Sequence, residues 1–255
     1  MTTSKLFLAP ILGVVAAMTA GTVIVSSETS AQTKAPQTSE PVLLELFTSQ
    51  GCSSCPPADR VAAKLDRQSG AVVLSRPVTY WDRLGWKDTL ASEANTDLQR
   101  AYSAKRLRGR NGVYTPQIVT DGRFGAVGSQ ENHVRTQMEL ARHGQTAAVR
   151  AKRIKGGGAV VGIAGKAQRS ANLELVAVQS KAKVAIGRGE NSGRSITYTN
   201  VVKSDRVIAD WSGGNKSVTL SAADFAVKGA DRYALVLREK GTAGKVLAAS
   251  WVRPN

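Results

Sequence analysis

Two cysteines separated by two residues, Cys52 and Cys55, are the side chains best suited to chemistry, and they are the only cysteines of the 255-residue chain. Thiols at this spacing can close a small ring, so the pair can alternate between a dithiol and a disulfide. The apolar run Val42 to Phe47 precedes them and predicts a buried strand. A helix that begins directly after the pair would favour a thiolate through its partial positive charge.

The chemistry of the pair has three interpretations. In thiol–disulfide exchange, Cys52 is the nucleophile and Cys55 resolves the mixed disulfide. The second interpretation is a permanent structural disulfide. A zinc site is disfavoured because only His133 and His143 could complete four ligands, and their spacing is not that of ligands. We therefore predict neither a metal nor a cofactor.

The first 31 residues are typical of a signal peptide. Lys5 gives a short basic region, Leu6 to Val25 is largely apolar, and Thr29 to Ala31 offers a small-residue cleavage site. Export to the periplasm or beyond would place the cysteines in an oxidising compartment. The apolar stretch also approaches the length of a spanning helix, so an uncleaved anchor is the alternative. Residues 32–39 are polar and are expected to form a flexible lead-in.

The formal net charge is +16, which favours attraction to acidic surfaces. The lysines and arginines are scattered, with only small clusters at residues 105–110 and 150–155. This distribution and the predicted export argue against nucleic acid as a partner. We expect only a weak contact with an anionic membrane surface.

Apolar periodicity and turn residues predict an α/β arrangement over residues 40–145. After the first strand we expect a helix from Pro56 or Pro57 to Gly70, with Asp59 in its first turn, and then a strand from Ala71. An aromatic loop at 80–86 and a helix capped by Ser92 follow. The remaining elements are a strand at Val113 to Val119, a hairpin turn at Asp121-Gly122, a strand at 123–127 and a helix capped by Ser129 that reaches about His143. The second of these helices is expected to carry Ala94, Leu98, Ala101 and Tyr102 on one face.

This order is that of a thioredoxin-like domain. Its strand at 113–119 contains Pro116, which would remove a donor from a sheet ladder, so the proline marks a specific need. We predict that Thr115-Pro116 is a cis peptide beside the cysteines. The predicted substrate groove consists of Thr115, Pro116, Tyr80, Trp81 and Trp86, although such aromatic side chains also serve as core packing.

The character of the sequence changes near Gln145, where helical periodicity ends. Short alternating runs separated by Gly, Asn and Ser turns predict an all-β, sandwich-like domain over residues 146–255. The predicted strands are 159–164, 173–178, 184–186, 195–202, 216–220, 233–238 and 246–252.

Four motifs closely resemble a bacterial family of secreted, thioredoxin-like proteins known as DUF1223. They are Glu45 to Asp59, Tyr80 to Asp88, Val113 to Gln117, and Gly187 to Arg194. The resemblance implies a thioredoxin-like domain followed by a family-specific β domain, and it supplies no substrate. Where the family carries a histidine and an aspartate this chain has Pro77-Val78-Thr79, which predicts weaker or altered activity.

The last of these motifs is a polar loop among glycines, and its chemical side chains are Arg188, Glu190, Asn191 and Arg194. A hairpin loop with internal charge pairs is one interpretation, and a site for an anionic ligand is another. We expect the loop to face the first domain, because dense hydrogen-bonding side chains are useful where one surface fixes another. Asp82 and Asp88 are the predicted partners.

Together these features predict an exported thiol–disulfide oxidoreductase-like protein that acts on protein thiols or disulfides and exchanges electrons with an envelope redox partner. The alternative is a non-catalytic envelope binding protein that keeps the fold and a structural disulfide. Exposure of the Cys52 sulfur distinguishes them, since an enzyme needs it accessible and a structural bridge does not.

Overall fold

Residues 40–68 and 70–253 are described by a computed structural model. The predicted signal peptide and lead-in, residues 1–39, lie outside these residues. None of the helices in the described part is long and apolar enough to cross a membrane. The helices are α1 (Cys55–Asp66), α2 (Glu93–Ala104) and α3 (Glu131–Arg142). The strands are β1 (Val42–Thr48), β2 (Ala71–Pro77), β3 (Arg108–Gly109), β4 (Gln117–Thr120), β5 (Phe124–Val127), β6 (Ala147–Arg153), β7 (Ala159–Gly165), β8 (Ala171–Ala185), β9 (Ser195–Trp211), β10 (Lys216–Leu220), β11 (Arg232–Glu239) and β12 (Val246–Trp251).

Two sheets organise these strands. The large sheet has the order β12-β11-β8-β9-β2-β1-β4-β5-β3, and the small sheet has the order β10-β7-β6. β1 is parallel to β2 and antiparallel to β4, as a strand–helix–strand unit followed by a hairpin requires. The molecule is therefore a mixed α/β protein with one large sheet and one small one.

The first half places helices on the sheet. Alternate β1 residues such as Leu44 and Leu46 pack on Leu65 of α1 and on Val134 and Met138 of α3. All seven β1 residues are buried, because side chains of opposite faces meet different layers. β1 is thus a central strand, and the chain leaves its end directly into the cysteine turn.

The second half forms a two-sheet sandwich. The small sheet packs over β8, β11 and β12 of the large one, and Val149, Val161, Leu173 and Leu235 fill the space between them. The predicted boundary at 145/146 falls between α3 and β6, yet the large sheet crosses it.

The two halves join where β2 meets β9. A single backbone register pair, Ser75 with Val201, links these strands, and Ser75 Oγ donates to Thr199 O at 2.7 Å. A shared apolar cluster extends the joint and includes Leu43, Val72, Val176 and Val246. Side-chain contacts therefore hold the two halves together where a longer backbone ladder is missing.

A buried ion network crosses the same joint. Glu45 Oε1 on β1 accepts from Arg76 Nε at 2.7 Å and from Arg238 Nη2 at 3.2 Å. Tyr102 of α2 donates to the other carboxylate oxygen, and Asp205 of β9 accepts from Arg76 Nη1 at 2.8 Å. Burial by itself raises the pKa of Glu45, but the two guanidinium groups and the tyrosine outweigh burial and lower it.

Several predicted elements need correction. α1 begins at Cys55, because its two prolines can stand in the first turn, where a missing N–H costs nothing. The helix ends at Asp66, before the predicted end at Gly70. The strand predicted from Val113 begins only at Gln117, so Pro116 lies just before the ladder. Gln130, and not Ser129, is the N-cap of α3. The Ser92 cap of α2 is confirmed.

The predicted apolar face of α2 is confirmed at Tyr102, which is buried, and at Leu98 and Ala101, which pack partly buried against the same cluster, but Ala94 is exposed. The helix buries Asn95, Thr96 and Gln99 beside that tyrosine. Asn95 Nδ2 donates to Pro77 O at 3.0 Å and Gln99 Nε2 donates to Tyr114 O at 2.7 Å, whereas Gln99 Oε1 has no partner among the described residues. Apolar periodicity does not reveal these three polar residues, because a face lined with hydrogen-bond partners can accept polar side chains.

The strands of the second half are longer than predicted. β8 has 15 residues and joins two predicted strands, and β9 has 17. β6 was missed, since its alternating Arg and Lys residues hide the buried Ala147 and Val149. β8 and β9 form one long antiparallel hairpin with two register shifts.

Replacing Glu45 with Gln should lower the free energy of unfolding by about 3–5 kcal/mol, because two buried guanidinium groups lose their shared counter-charge. Urea unfolding of both proteins measures the change. Glu139→Gln is the matched control, since it also breaks an ion pair with an arginine, Arg142, but the Glu139 side chain is 65% exposed. The control should lose at most about 1 kcal/mol. Equal losses would contradict a central role for Glu45.

Candidate functional site

The cysteine turn lies between the end of β1 and the start of α1. Cys52 and Cys55 form a disulfide, with Cα atoms 5.4 Å apart. Cys55 is the first residue of α1, so the pair stands at the positive end of the helix as the sequence predicts. Both cysteines are 0% exposed, whereas Ser53 and Ser54 between them are exposed. The two cysteines are therefore covered, although the two residues between them reach the solvent.

The Thr115-Pro116 bond is cis, as predicted. Phe47 pairs with Gln117 across β1 and β4, which puts Pro116 one position further along, beside the end of β1 from which the cysteine turn departs. Trp81 Nε1 donates to Thr115 Oγ1 at 2.8 Å. A Cβ on Gly51 would lie 3.2 Å from Trp81 Cβ, so this tryptophan packs directly on the turn.

The loop between β8 and β9 covers the cysteine turn. Asn191 is 0% exposed, and its Nδ2 donates to Gln50 O at 3.0 Å and to Cys52 O at 2.8 Å. Ser53 N donates to Glu190 Oε2 at 2.9 Å. The prediction that this loop faces the first half is confirmed. We call residues 186–194 the capping loop.

Trp86 fills the space between the capping loop and the turn. Its Nε1 donates to Gln50 Oε1 at 2.8 Å. A Cβ on Gly187 would come within 3.2 Å of Trp86 Cζ3, so glycine at this position permits the close approach. Trp86, one of the five predicted groove residues, thus packs against the capping loop. Tyr80 is half-buried in a separate apolar cluster with Phe47 and Val78.

The predicted partners of the capping loop are wrong. Asp88 accepts from Gln50 N at 2.8 Å and from Leu90 N at 2.8 Å, and Asp82 accepts from Asp88 N at 3.1 Å. Asp82 thus braces its own loop, and Asp88 joins that loop to residue 50 of the cysteine turn. Arg188 is exposed, and Arg194 Nη1 donates to Asn191 Oδ1 at 3.1 Å within the capping loop. The capping loop instead binds the backbone carbonyls of Gln50 and Cys52 and the backbone N–H of Ser53. Sequence cannot identify such partners, because every residue carries these backbone groups.

A buried polar group behind the disulfide was missed as a functional candidate. Asp59 follows Cys55 by four residues, so the two side chains share one face of α1. Thr48 Oγ1 donates to Asp59 Oδ1 at 2.9 Å, while Oδ2 is buried without a hydrogen-bond partner among the described residues. Burial raises the pKa of Asp59 to about 7, despite the Thr48 bond. The expected position of Asp59 in the first turn is wrong, because α1 begins at Cys55 and its first turn contains no acidic residue.

A second unpartnered group faces the same region. Tyr198 of β9 is 1% exposed, and its hydroxyl has no hydrogen-bond partner in the described part of the chain. Burial raises the pKa of Tyr198, and the carboxylates of Asp59 and Asp88 raise it further. The sequence offered one indication of this buried polar region, because Asp59 is a carboxylate on the otherwise apolar face of α1.

The segment Pro77-Val78-Thr79 offers no titratable side chain. Val78 is buried against Phe47. Thr79 N donates to Thr96 Oγ1 at 3.0 Å, and the Thr79 hydroxyl donates to Glu93 Oε2. Among the described residues no group of three or more His, Cys, Asp or Glu side chains is placed to hold a metal ion.

The chain belongs to the family described as "Protein of unknown function (DUF1223)", whose pattern it matches over residues 43–238. It is similar to the crystal structure of protein AGR_C_4864 from Agrobacterium tumefaciens, at 30% identity and a TM-score of 0.73, over 86% of this chain and 96% of that one. It shares the fold of HBP35 of Porphyromonas gingivalis at 15% identity and a TM-score of 0.56, over 84% of this chain and 74% of that one. No curated protein matches.

Stability should fall as the pH rises from 5 to 8, because the folded protein holds a proton on Asp59 up to about pH 7 that the unfolded chain releases near pH 4. The contribution is fully present below about pH 4 and is lost as the pH passes 7. Asp59→Asn should remove about 2–3 kcal/mol of the difference between pH 5 and pH 8. Urea unfolding at both pH values measures it.

Asp121 provides a second test of the same principle, since burial also raises its pKa to about 7. Asp59→Asn should thus leave a residual pH dependence that Asp121→Asn reduces. Asp97→Asn, at a side chain 65% exposed, is the control and should leave the slope unchanged. An unaltered slope in Asp59→Asn would show that this carboxyl ionises normally.

Proposed function

We propose that this protein catalyses thiol–disulfide exchange through Cys52 and Cys55 on a thioredoxin-like scaffold, acting on protein thiols or disulfides outside the cytoplasm. One observation carries the proposal: the disulfide stands between the end of a central buried strand and the first residue of a helix, beside Thr115-Pro116. A purely structural bridge has no need of a helix N-terminus, whereas a reactive thiol gains from it.

The exchange conserves electrons in two steps. In the reduced protein the Cys52 thiolate attacks a substrate disulfide, forms a mixed disulfide and releases one substrate thiolate. Cys55 then loses its proton and attacks the Cys52 sulfur, which releases the second substrate thiolate and closes the protein disulfide. The substrate gains two electrons and the protein loses two, and the reverse sequence oxidises a substrate dithiol.

Asp59 is suited to accept the proton that Cys55 loses. Its carboxyl shares the buried face of α1 with Cys55, and its pKa of about 7 lies near the working range of a general base. The unpartnered Oδ2 leaves one oxygen without a competing hydrogen bond among the described residues. We therefore assign it to the resolving step, and not to the attack by Cys52.

The capping loop makes the described state a closed one. Two hydrogen bonds from Asn191 and one to Glu190 hold it on residues 50–53. Exchange with a protein substrate requires this loop to move, because neither sulfur-bearing residue is exposed. Glu190 accepts from the helix-proximal Ser53 N–H, so opening also removes a negative charge from beside Cys52 and favours its thiolate.

The second candidate function is the non-catalytic one, and the complete burial of both cysteines favours it. In that case the disulfide braces the turn on which the capping loop rests, and the protein acts as an envelope binding protein. The two functions differ in whether the loop opens without unfolding of the chain.

Asn191→Ala should speed reduction of the disulfide by dithiothreitol about tenfold, since it removes two hydrogen bonds of the closed state. Arg188→Ala, an exposed change in the same loop, is the control and should leave the rate unchanged. Limited alkylation of the reduced protein, followed by peptide mapping, should label Cys52 before Cys55.

Turnover decides between the two candidates. Wild-type protein should accelerate reduction of a disulfide-bonded protein by dithiothreitol, Asn191→Ala should do so faster, and Cys52→Ser should not. A faster chemical reduction of Asn191→Ala without turnover of any protein disulfide would establish the structural bridge instead. Asp59→Asn should slow turnover chiefly above pH 7, where the native carboxylate is ionised.

A further inference from the structure

An arginine-lined cleft lies at the end of α1 opposite the disulfide. Its main cavity has a volume of about 670 Å³, and a neighbouring cavity of about 480 Å³ shares three of its lining residues. The shared residues are Arg232, Trp251 and Arg253. The main volume is within the ordinary range of small-molecule sites.

Arg232 is held in one orientation inside this cleft. Its Nη1 donates to both oxygens of Asp66 at 3.0 Å and to Asn200 Oδ1 at 3.1 Å. The guanidinium carbon lies 3.6 Å from the centroid of a Trp251 ring. All of these hydrogen bonds use a single nitrogen. The other edge of the fork, Nε and Nη2, has no partner among the described residues.

Asn200 helps to fix the orientation of Arg232. It is 0% exposed, and its Nδ2 donates to Asp66 Oδ1 at 2.8 Å and to Val73 O at 2.9 Å. Its backbone has a φ of 49°, a left-handed conformation that asparagine adopts more readily than most residues. A buried amide thus orients the carboxylate that in turn orients the arginine.

The charge of the cleft is strongly positive. Its main cavity is lined by Arg67, Arg150, Arg232 and Arg253, with Asp66 as the single carboxylate of the lining. Arg150 is paired with Glu40. Arg67 and Arg253 make no salt bridge with any residue that the structure describes. Three arginines from three parts of the chain therefore present donors to one space.

We propose that this cleft binds a phosphate-bearing group. Arginine forks match phosphate oxygens in two-point contacts, and the fixed outer edge of Arg232 is pre-organised for one. A phosphate offers three oxygens and up to two charges, so it can engage Arg67 and Arg253 at the same time. A carboxylate offers only two oxygens and one charge. The source is either a soluble phosphate ester or the headgroup of an anionic lipid.

The proposal does not depend on thiol chemistry. α1 runs from Cys55 to Asp66, so its 12 residues separate the disulfide from the cleft by about 18 Å. A group bound in the cleft therefore does not reach the cysteine turn. The double variant Cys52→Ser/Cys55→Ser should therefore bind phosphate as the unaltered protein does, whatever the outcome of the exchange assay.

Titration calorimetry of the full chain with inorganic phosphate tests the binding. Saturable binding at a single site should weaken about tenfold in Arg67→Gln and in Arg253→Gln. Arg100→Gln on α2, whose side chain is 55% exposed, removes the same charge elsewhere and should bind as before. Equal weakening in Arg100→Gln, or binding that none of the variants changes, would overturn the site.

Vesicle sedimentation distinguishes the two sources. If lipid is the source, vesicles that contain phosphatidic acid, whose headgroup is a phosphomonoester, should retain the protein, and phosphatidylcholine vesicles should not. Both cleft variants should then lose retention while Arg100→Gln keeps it. If a soluble ester is the source, glycerol phosphate should bind with the same variant pattern and vesicles should not retain the protein. Failure of inorganic phosphate, glycerol phosphate and vesicles to bind would refute the proposal.

Discussion

The charge of Glu45 is the interaction on which the rest of the molecule depends. This carboxylate is buried in the central strand β1, and an isolated charge there would be very costly. Arg76 and Arg238 offset that cost from β2 and β11. Because the arginines belong to different halves of the chain, the carboxylate is satisfied only when both halves are assembled. The network thereby favours one arrangement of β1, from whose end the cysteine turn departs.

The position of the capping loop also depends on the joining of the two halves. It is the turn of the β8–β9 hairpin, whose strands have 15 and 17 residues and are about 50 Å long. One end of the hairpin is fixed in the sandwich by Leu173 and Trp211. The other end reaches the cysteines. Asp205 of β9 pairs with Arg76, so the ion network holds the hairpin midway along its length.

The sequence predicted those features that depend on local chemistry. The Cys52–Cys55 turn, the cis bond before Pro116, the Ser92 cap and the loop at residues 187–194 as a contact of the first half could all be inferred from residue type and spacing. The sheet that crosses from β2 to β9 could not, because a single register pair and side-chain bonds leave no periodic pattern.

The same limit applies to the site. Burial of Cys52 depends on Asn191, which is 139 residues away along the chain and bonds to a backbone carbonyl that every residue possesses. The pKa of Asp59 depends on how completely its surroundings exclude water, which composition does not reveal. The phosphate cleft is assembled from Arg67, Arg232 and Arg253, and no two of these are neighbours in sequence.

The wide separation of the capping loop from the turn has a consequence for biosynthesis. Ribosomes make the chain from its N-terminus, so residues 52–55 emerge long before residues 186–194 exist. During that interval the two thiols have no cover, and oxidants and foreign thiols reach them freely. Completion of the β8–β9 hairpin ends this period. The nascent chain and the finished protein therefore present the same two sulfur atoms to their surroundings in opposite ways.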